Sequence, residues 1–179
     1  VTVPIHVVPL GVDRAIFHER VTPKAAAGVR ATDTVFLQVG KLEARKGQRE
    51  LLRAFEAAFA PQDSVHLVLH CYNPFMARSA FDELAAPFRT SSMRDRITVM
   101  SSELPTARDV AAVMAAADCG VFPVRAEGWN LEALEMLSMG KTVIATAVIE
   151  ALLHGSSDLG VEADPRATFL WVTDDPALN

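Results

Sequence analysis

Val35-Phe-Leu-Gln-Val39, the stretch Gln48 to Ala60, and Val65-His-Leu-Val-Leu69 together decide the fold. The first and third are short apolar runs that read as strands. Between them Leu51, Leu52, Phe55 and Phe59 recur at helical spacing, so the unit reads β-α-β. The alternation continues outward. Phe81, Leu84 and Phe88 mark a second helical stretch, and Arg96-Ile-Thr-Val-Met100 a third strand. Thr106 has the character of an N-cap with Asp109 at N3, opening a helix that carries Val110, Val113 and Met114. Cys119-Gly-Val-Phe-Pro123 is a fourth strand. A helix from about Asn130 to Met139 follows, stopped by Gly140 at a C′ position, and Thr142-Val-Ile-Ala145 is a fifth strand. The tail predicts a short helix near Ile149–Leu153 and a strand at Phe169–Val172. Strands that are continuous apolar runs belong to a parallel sheet covered on both faces. The expected fold class is therefore α/β, a doubly wound parallel sheet, without internal repeats or low-complexity tracts. In such sheets ligands bind at the carboxyl ends of the strands.

Composition bounds the function. The chain has 179 residues, 50% hydrophobic and 22% charged, with a net charge of −5. That apolar content excludes intrinsic disorder, and the acidic balance argues against a nucleic-acid partner. No uncharged apolar run reaches the roughly 18 residues that suggest a transmembrane segment; Val110 to Val124, the most apolar stretch, is broken by Asp118. Cys71 and Cys119 sit in apolar runs without CxxC or Cys/His spacing, which predicts two reduced core thiols and no metal site. The N-terminus, Val1-Thr-Val-Pro-Ile-His6, has neither signal-peptide regions nor an initiator Met. A cytoplasmic location and a fragment or processed chain are the expectations.

Two turns carry candidate chemistry. Gly40-Lys-Leu-Glu-Ala-Arg-Lys-Gly47, after the first strand, is neither a dinucleotide fingerprint nor a P-loop. It nevertheless gathers Lys41, Arg45, Lys46 and Arg49 at a helix start, where cations oppose the macrodipole and a bound anion would relieve the conflict. Glu43 and Glu50 would partly neutralise them. The second turn, Glu127-Gly-Trp-Asn-Leu-Glu-Ala-Leu-Glu135, leads into the helix after the fourth strand. Its glutamate spacing alone means little, since roughly one such pair is expected by chance in this composition. Context gives it weight: Gly128 permits close backbone approach, and the helix start near Asn130–Leu131 presents unpaired N–H donors. Leu131, Leu134 and Leu137 or Ser138 are expected to form the buried face, with Glu132 on a solvated one.

Phe122 to Ala145 resembles the E-x7-E region of retaining, GT4-type GT-B glycosyltransferases. Val8-Pro-Leu-Gly-Val-Asp13 with Phe17 is similar to the lead-in of their C-terminal domain. Val39 to Gly47 with Leu51-Leu-x-Ala-Phe55 resembles their diphosphate-binding turn, and Ala117-Asp118 also fits. The matches run in the family's order over residues 7 to 145. The resemblance implies a Rossmann-like C-terminal half of a GT-B fold, with 1–20 a segment leading in from a missing N-terminal domain. Residues 21–179 would be the donor-binding domain, truncated before its closing helices. It implies that Lys46 and Lys41 bind the diphosphate of a nucleotide sugar beside Gly40, although the family usually has Arg where Lys41 stands. Lys keeps the charge without the bidentate fork. Glu127 would contact donor-sugar hydroxyls, and Glu135 would accept from the ribose hydroxyls. The backbone from Gly128 through Trp129 and Asn130 to Leu131 would meet the phosphate, and the turn holding Ser102 and Leu104 the nucleobase. The implied catalytic residues are Lys46, Lys41 and Glu127. The reaction would be retaining sugar transfer to an acceptor hydroxyl without a metal or other cofactor. The acceptor, a glycan, lipid or small molecule, would be bound mainly by the missing domain. This chain alone would transfer poorly, and the full-length protein would be cytoplasmic or peripheral at a membrane.

Other readings stand beside it. The loop Ala147-Val-Ile-Glu-Ala-Leu-Leu-His-Gly155 departs from the family's Gly-rich turn, with Glu150 the stand-in for its glutamate. That departure suits a non-catalytic α/β binding module with a degenerate site; a sugar-nucleotide epimerase domain would also fit the fold. Hydrolysis by Glu127 and Glu135 would need carboxyls roughly 5–9.5 Å apart, whereas eight helical residues rise about 12 Å. His66 and His70 read as sheet histidines, Met100, Met114, Met136 and Met139 as core filler, and Asp174-Asp175 as solvated.

Overall fold

The computed structural model describes residues 10–146 and a strand at 169–172. The expected helix at 149–153, Glu150, Val8 and Asp174-Asp175 lie outside the described residues. In chain order the elements are β1 (Thr34–Val39), α1 (Gln48–Ala58), β2 (Val65–His70), α2 (Arg78–Thr90), β3 (Ile97–Met100), α3 (Ala107–Ala115), β4 (Cys119–Phe122), α4 (Leu131–Ser138), β5 (Thr142–Thr146) and β6 (Phe169–Val172). The strands form one parallel sheet ordered β3-β2-β1-β4-β5-β6.

Local chemistry sets the boundaries. Thr106 and Asp109 form a reciprocal capping box at the start of α3, as their spacing predicts. Gly140, at φ 73°, ends α4 in the left-handed region that glycine enters without strain. Asp118 ties the sheet at its centre: its Oδ2 accepts from the Val35 amide at 2.8 Å, and its own amide donates to the Val35 carbonyl at 3.0 Å.

The pleat of β1 divides the core in two. Val35, Leu37 and Val39 point to one face, where Val113 and Met114 of α3 and Leu134 and Met136 of α4 cover them. Phe36 points to the other, against Leu51, Leu52 and Phe55 of α1 and Phe81 and Phe88 of α2. Helices on both faces of a parallel sheet are the doubly wound arrangement expected. Phe17, in the lead-in segment, is buried in the first cluster, and Ser138 Oγ donates to its carbonyl at 3.0 Å.

Cys71 and Cys119 are buried free thiols, and burial pushes them up to about 12 and about 11. His66 and His70 are half-satisfied rather than fully satisfied. Nε2 of His66 lies 2.8 Å from Thr98 Oγ1 and Nε2 of His70 lies 3.3 Å from the Ser102 carbonyl, while both Nδ1 atoms lack a hydrogen-bond partner among the described residues. Burial lowers both imidazoles, keeping them neutral at pH 7.

Strand order reverses between β1 and β4. From β1 the chain winds outward to β2 and β3, and from β4 it winds the other way to β5 and β6. The crevice at the carboxyl ends of β1 and β4 is thus the topological switch point, where open α/β sheets bind ligands.

Candidate functional site at the switch point

The two turns singled out in the sequence meet at this crevice. The β1–α1 turn closes through a short 3-10 segment, Ala44–Lys46, and Gly47 at φ 70°. Two glutamines hold it. Gln38, buried in β1, donates from Nε2 to the Lys46 carbonyl at 2.6 Å, and Gln48 donates from Nε2 to the Lys41 carbonyl at 2.9 Å. The Arg125 amide then joins the turns by donating to the Arg45 carbonyl at 2.8 Å. Gly47 lies so close to the β4–α4 turn that a Cβ there would sit 1.9 Å from the Pro123 carbonyl oxygen.

Lys46 is the centre of the site. It is only 5% exposed, and its Nζ lies 2.6 Å from Glu127 Oε2 and 3.4 Å from Glu132 Oε1. Its stem runs across Gly40, where a Cβ would come within 3.2–3.3 Å of the Lys46 Cε, Cδ and Nζ. Arg45 adds a second cation: Nη1 lies 3.0 Å from Glu127 Oε2, and Nε lies 2.8 Å from Glu43 Oε2. Partial burial pushes the Glu127 carboxyl up, but Lys46 and Arg45 together outweigh it and hold the group below its usual range. Glu127 is therefore ionised at neutral pH.

Arg45, Lys46 and Glu127 line a cleft of about 520 Å³ together with Lys41, Trp129, Asn130, Leu131, Glu132 and Glu135, closed by Leu10, Phe17, Ala107 and Val110. Asn130 occupies the N-cap position of α4 at φ 47° without a capping hydrogen bond and is 2% exposed; its Oδ1 and Nδ2 have no partner among the described residues. Buried polar atoms in native folds are nearly always paired, so this amide at a helix N-terminus points to a polar ligand. Trp129 both borders the cleft and packs on the core.

The structure corrects the readings of Glu132 and Arg49 and places the other expected residues around them. Glu132 is not on a solvated face: Leu131, Glu132 and Glu135 share the cleft side of α4, while Ala133, Leu134, Met136, Leu137 and Ser138 are buried. Leu131 packs on the core, as expected, and also borders the cleft. Arg49 lies away from the cleft and lines a separate groove with Arg53, Glu50 and Arg125. Ser102 and Leu104 do not line the cleft; Ser102 is exposed past β3, and Leu104 packs against the core. Gly40 and Gly128 also lie outside the lining, Gly40 as the floor beneath Lys46. Arg45 and Lys46 meet carboxylates within the protein, so their opposition to the helix dipole is already offset without an anion.

Burial, reinforced by the neighbouring Glu132 charge, raises the Glu135 carboxyl to about 7. Between its ordinary value near 4.5 and about 7, the native chain keeps a proton that the unfolded chain has lost. Stability therefore falls as pH rises through that window, by on the order of 1–3 kcal/mol. Glu135→Gln is expected to flatten the slope and to be the more stable form above pH 7, as thermal melts between pH 5 and 8 would show.

A family model described as glycosyl transferases group 1 matches residues 33–170. The chain belongs to this family. D-inositol 3-phosphate glycosyltransferase of Pseudarthrobacter chlorophenolicus is 31% identical over 186 residues, covering 98% of this chain and 43% of that protein. Among solved structures, the C-terminal domain of a glycosyl transferase group 1 family protein, LpcC, from Francisella tularensis matches with a TM-score of 0.63 at 17% identity, over 90% of this chain and 80% of that one. Anabaena Alr3699/HepE, solved in complex with UDP and glucose, matches with a TM-score of 0.59 at 22% identity, over 79% of this chain and 35% of that one. The chain thus spans less than half the length of the curated relative it matches. The likeness to solved structures establishes the Rossmann-like GT-B fold. No helix among the described residues is long and apolar enough to cross a membrane.

Proposed function

We propose that this group 1 domain binds a nucleotide diphospho-sugar in the β1/β4 cleft and serves as the donor half of a glycosyltransferase. One observation carries the reading. A nearly buried lysine, Lys46, and an ionised glutamate, Glu127, meet 2.6 Å apart at the topological switch point, beside the N-terminus of α4. A diphosphate supplies the anion that Lys46, Lys41 and Arg45 can bind, and the α4 N–H groups add donors. Displaced from Lys46, the Glu127 carboxylate accepts hydrogen bonds from sugar hydroxyls. Glu135, further along the cleft side of α4, suits the ribose.

Transfer breaks the bond between sugar C1 and the β-phosphate oxygen, and the electron pair leaves with the nucleoside diphosphate. The acceptor oxygen bonds C1 and gives up its proton to the departing β-phosphate oxygen. Negative charge grows on the β-phosphate as the bond breaks, so fixed cations stabilise the transition state more than the ground state. Lys46 and Lys41 fill that role here without calling on a metal. Retention of configuration comes to this reading from the GT4 resemblance, and acceptor binding is assigned mainly to a second domain, with residues 1–20 as its connection to 21–179.

Calorimetric titration with UDP, GDP and ADP, and then with their glucose conjugates, tests the reading. At least one diphosphate should bind, and its sugar conjugate should bind more tightly through Glu127. Absence of binding by all of them would overturn it.

A further inference from the structure

Phe75 is 83% exposed, the most exposed large apolar side chain among the described residues. Water-facing rings of this kind carry a solvation cost, and single ones are ordinary unless something holds them in place. Phe75 is held. It sits in the loop between β2 and α2, and Asn73 braces that loop against the β1–α1 turn. Asn73 Nδ2 donates to the Leu42 carbonyl at 3.3 Å, and Asn73 Oδ1 accepts from the Phe75 amide at 3.1 Å. The Met76 amide closes on the Asn73 carbonyl at 3.3 Å. Over the ring so presented lies the Lys41 ammonium, 4.6 Å from the centroid.

Lys41 also lines the cleft. Unlike Arg45 and Lys46, it has no carboxylate within ion-pair distance among the described residues. A lysine on a four-carbon stem is a mobile point charge without the fork that lets arginine hold a diphosphate in one geometry. The ring quadrupole attracts a cation within about 6 Å of its face, and so narrows the space the ammonium samples. We infer that Phe75 is a positioning residue, whose ring holds the Lys41 ammonium at the cleft wall and gives this lysine the fixed placement an arginine would have had. The role rests on the donor reading of the cleft.

Two measurements on the full chain test it. The first is the NMR signal of the Lys41 ε-methylene: the ring current should shift it upfield in the wild type and Phe75→Leu should remove the shift. The second is calorimetry with UDP, GDP and ADP on the wild type, Phe75→Leu, Phe75→Trp, Lys41→Ala, and Lys41→Ala combined with Phe75→Leu. Phe75→Leu should weaken nucleotide binding by about two- to fivefold, the scale of an exposed cation–π contact. Phe75→Trp should preserve binding, and Phe75→Leu should cost nothing further once Lys41 is alanine. Equal losses in both backgrounds, no loss in the wild type, or an unshifted ε-methylene signal would each overturn the positioning role. If none of the three nucleotides binds the wild type, the donor reading falls and this role with it. Binding that persists without Lys41–Phe75 coupling sinks the positioning role alone.

Discussion

Lys46→Ala is expected to weaken nucleoside diphosphate binding by about 30-fold or more, the scale of losing a charge-assisted hydrogen bond at a partly desolvated site. The sign follows from what the substitution leaves behind. Glu127, Glu132 and Glu135 would still line the cleft, and among the described residues Lys46 is the only cation within 4 Å of both Glu127 and Glu132. With it gone, the lining tips toward negative charge and repels a diphosphate. Stability should fall as well, because Glu127 is only partly exposed and would keep Arg45 alone. That loss should be modest, about 1–2 kcal/mol, since the carboxylate can still reach water. Lys46→Met preserves the packing of the stem over Gly40 and should lose affinity equally while melting closer to the wild type. Calorimetry and thermal melts on the two variants therefore separate the charge from the packing.

Gly47→Ala should have the largest effect on stability of any single methyl addition in the site. The added Cβ would meet the Pro123 carbonyl oxygen at 1.9 Å and the Pro123 carbonyl carbon at 2.9 Å, both backbone atoms that cannot swing aside. Gly47 also has φ 70°, where an L side chain is strained. Overpacking and strain together cost about 3–4 kcal/mol. For a chain of this size that corresponds to a fall of roughly 10 °C in the melting midpoint. The backbone can relieve the clash only by parting the β1–α1 and β4–α4 turns, which would also pull Lys46 from Glu127. Gly128→Ala is the control. Beyond its chain neighbours, no atom of the described residues lies within 4 Å of its would-be Cβ and its φ is not positive, so its melting midpoint should stay close to the wild type.

These effects follow from features that the sequence shows unequally. The sheet was legible because buried parallel strands are apolar on both faces, so Val35–Val39 and Val65–Leu69 stand out whatever surrounds them. The cap at Thr106 and the stop at Gly140 were legible because each is a local pattern with one mechanism. Lys46, Glu127 and Glu135 could be named from the order of motifs along the chain. Their mutual pairing could not, because 2.6 Å between residues 46 and 127 depends on how two turns pack. Glu132 was misjudged for a related reason: a charged side chain on α4 reads as solvated, and only the packing of the two turns brings it to Lys46 and the cleft. Gln38 and Gln48 gave no signal at all. A polar residue within an apolar strand reads as an interruption, yet Gln38 anchors the turn that carries Lys46. Phe75 was equally silent, since its place beside Lys41 is set by an Asn73 bond to a turn 31 residues earlier.

The proposed donor site requires the diphosphate of a nucleotide sugar to sit between the β1–α1 and β4–α4 turns. Backbone amide NMR of the wild-type chain during titration with UDP, GDP or ADP tests it most directly. The predicted result is that at least one of them shifts the amides of 40–47 and 128–134 together, and that Lys46→Ala abolishes both sets of shifts at the same ligand concentration. Shifts confined to other parts of the chain, or shifts at the two turns that survive Lys46→Ala, would contradict the account.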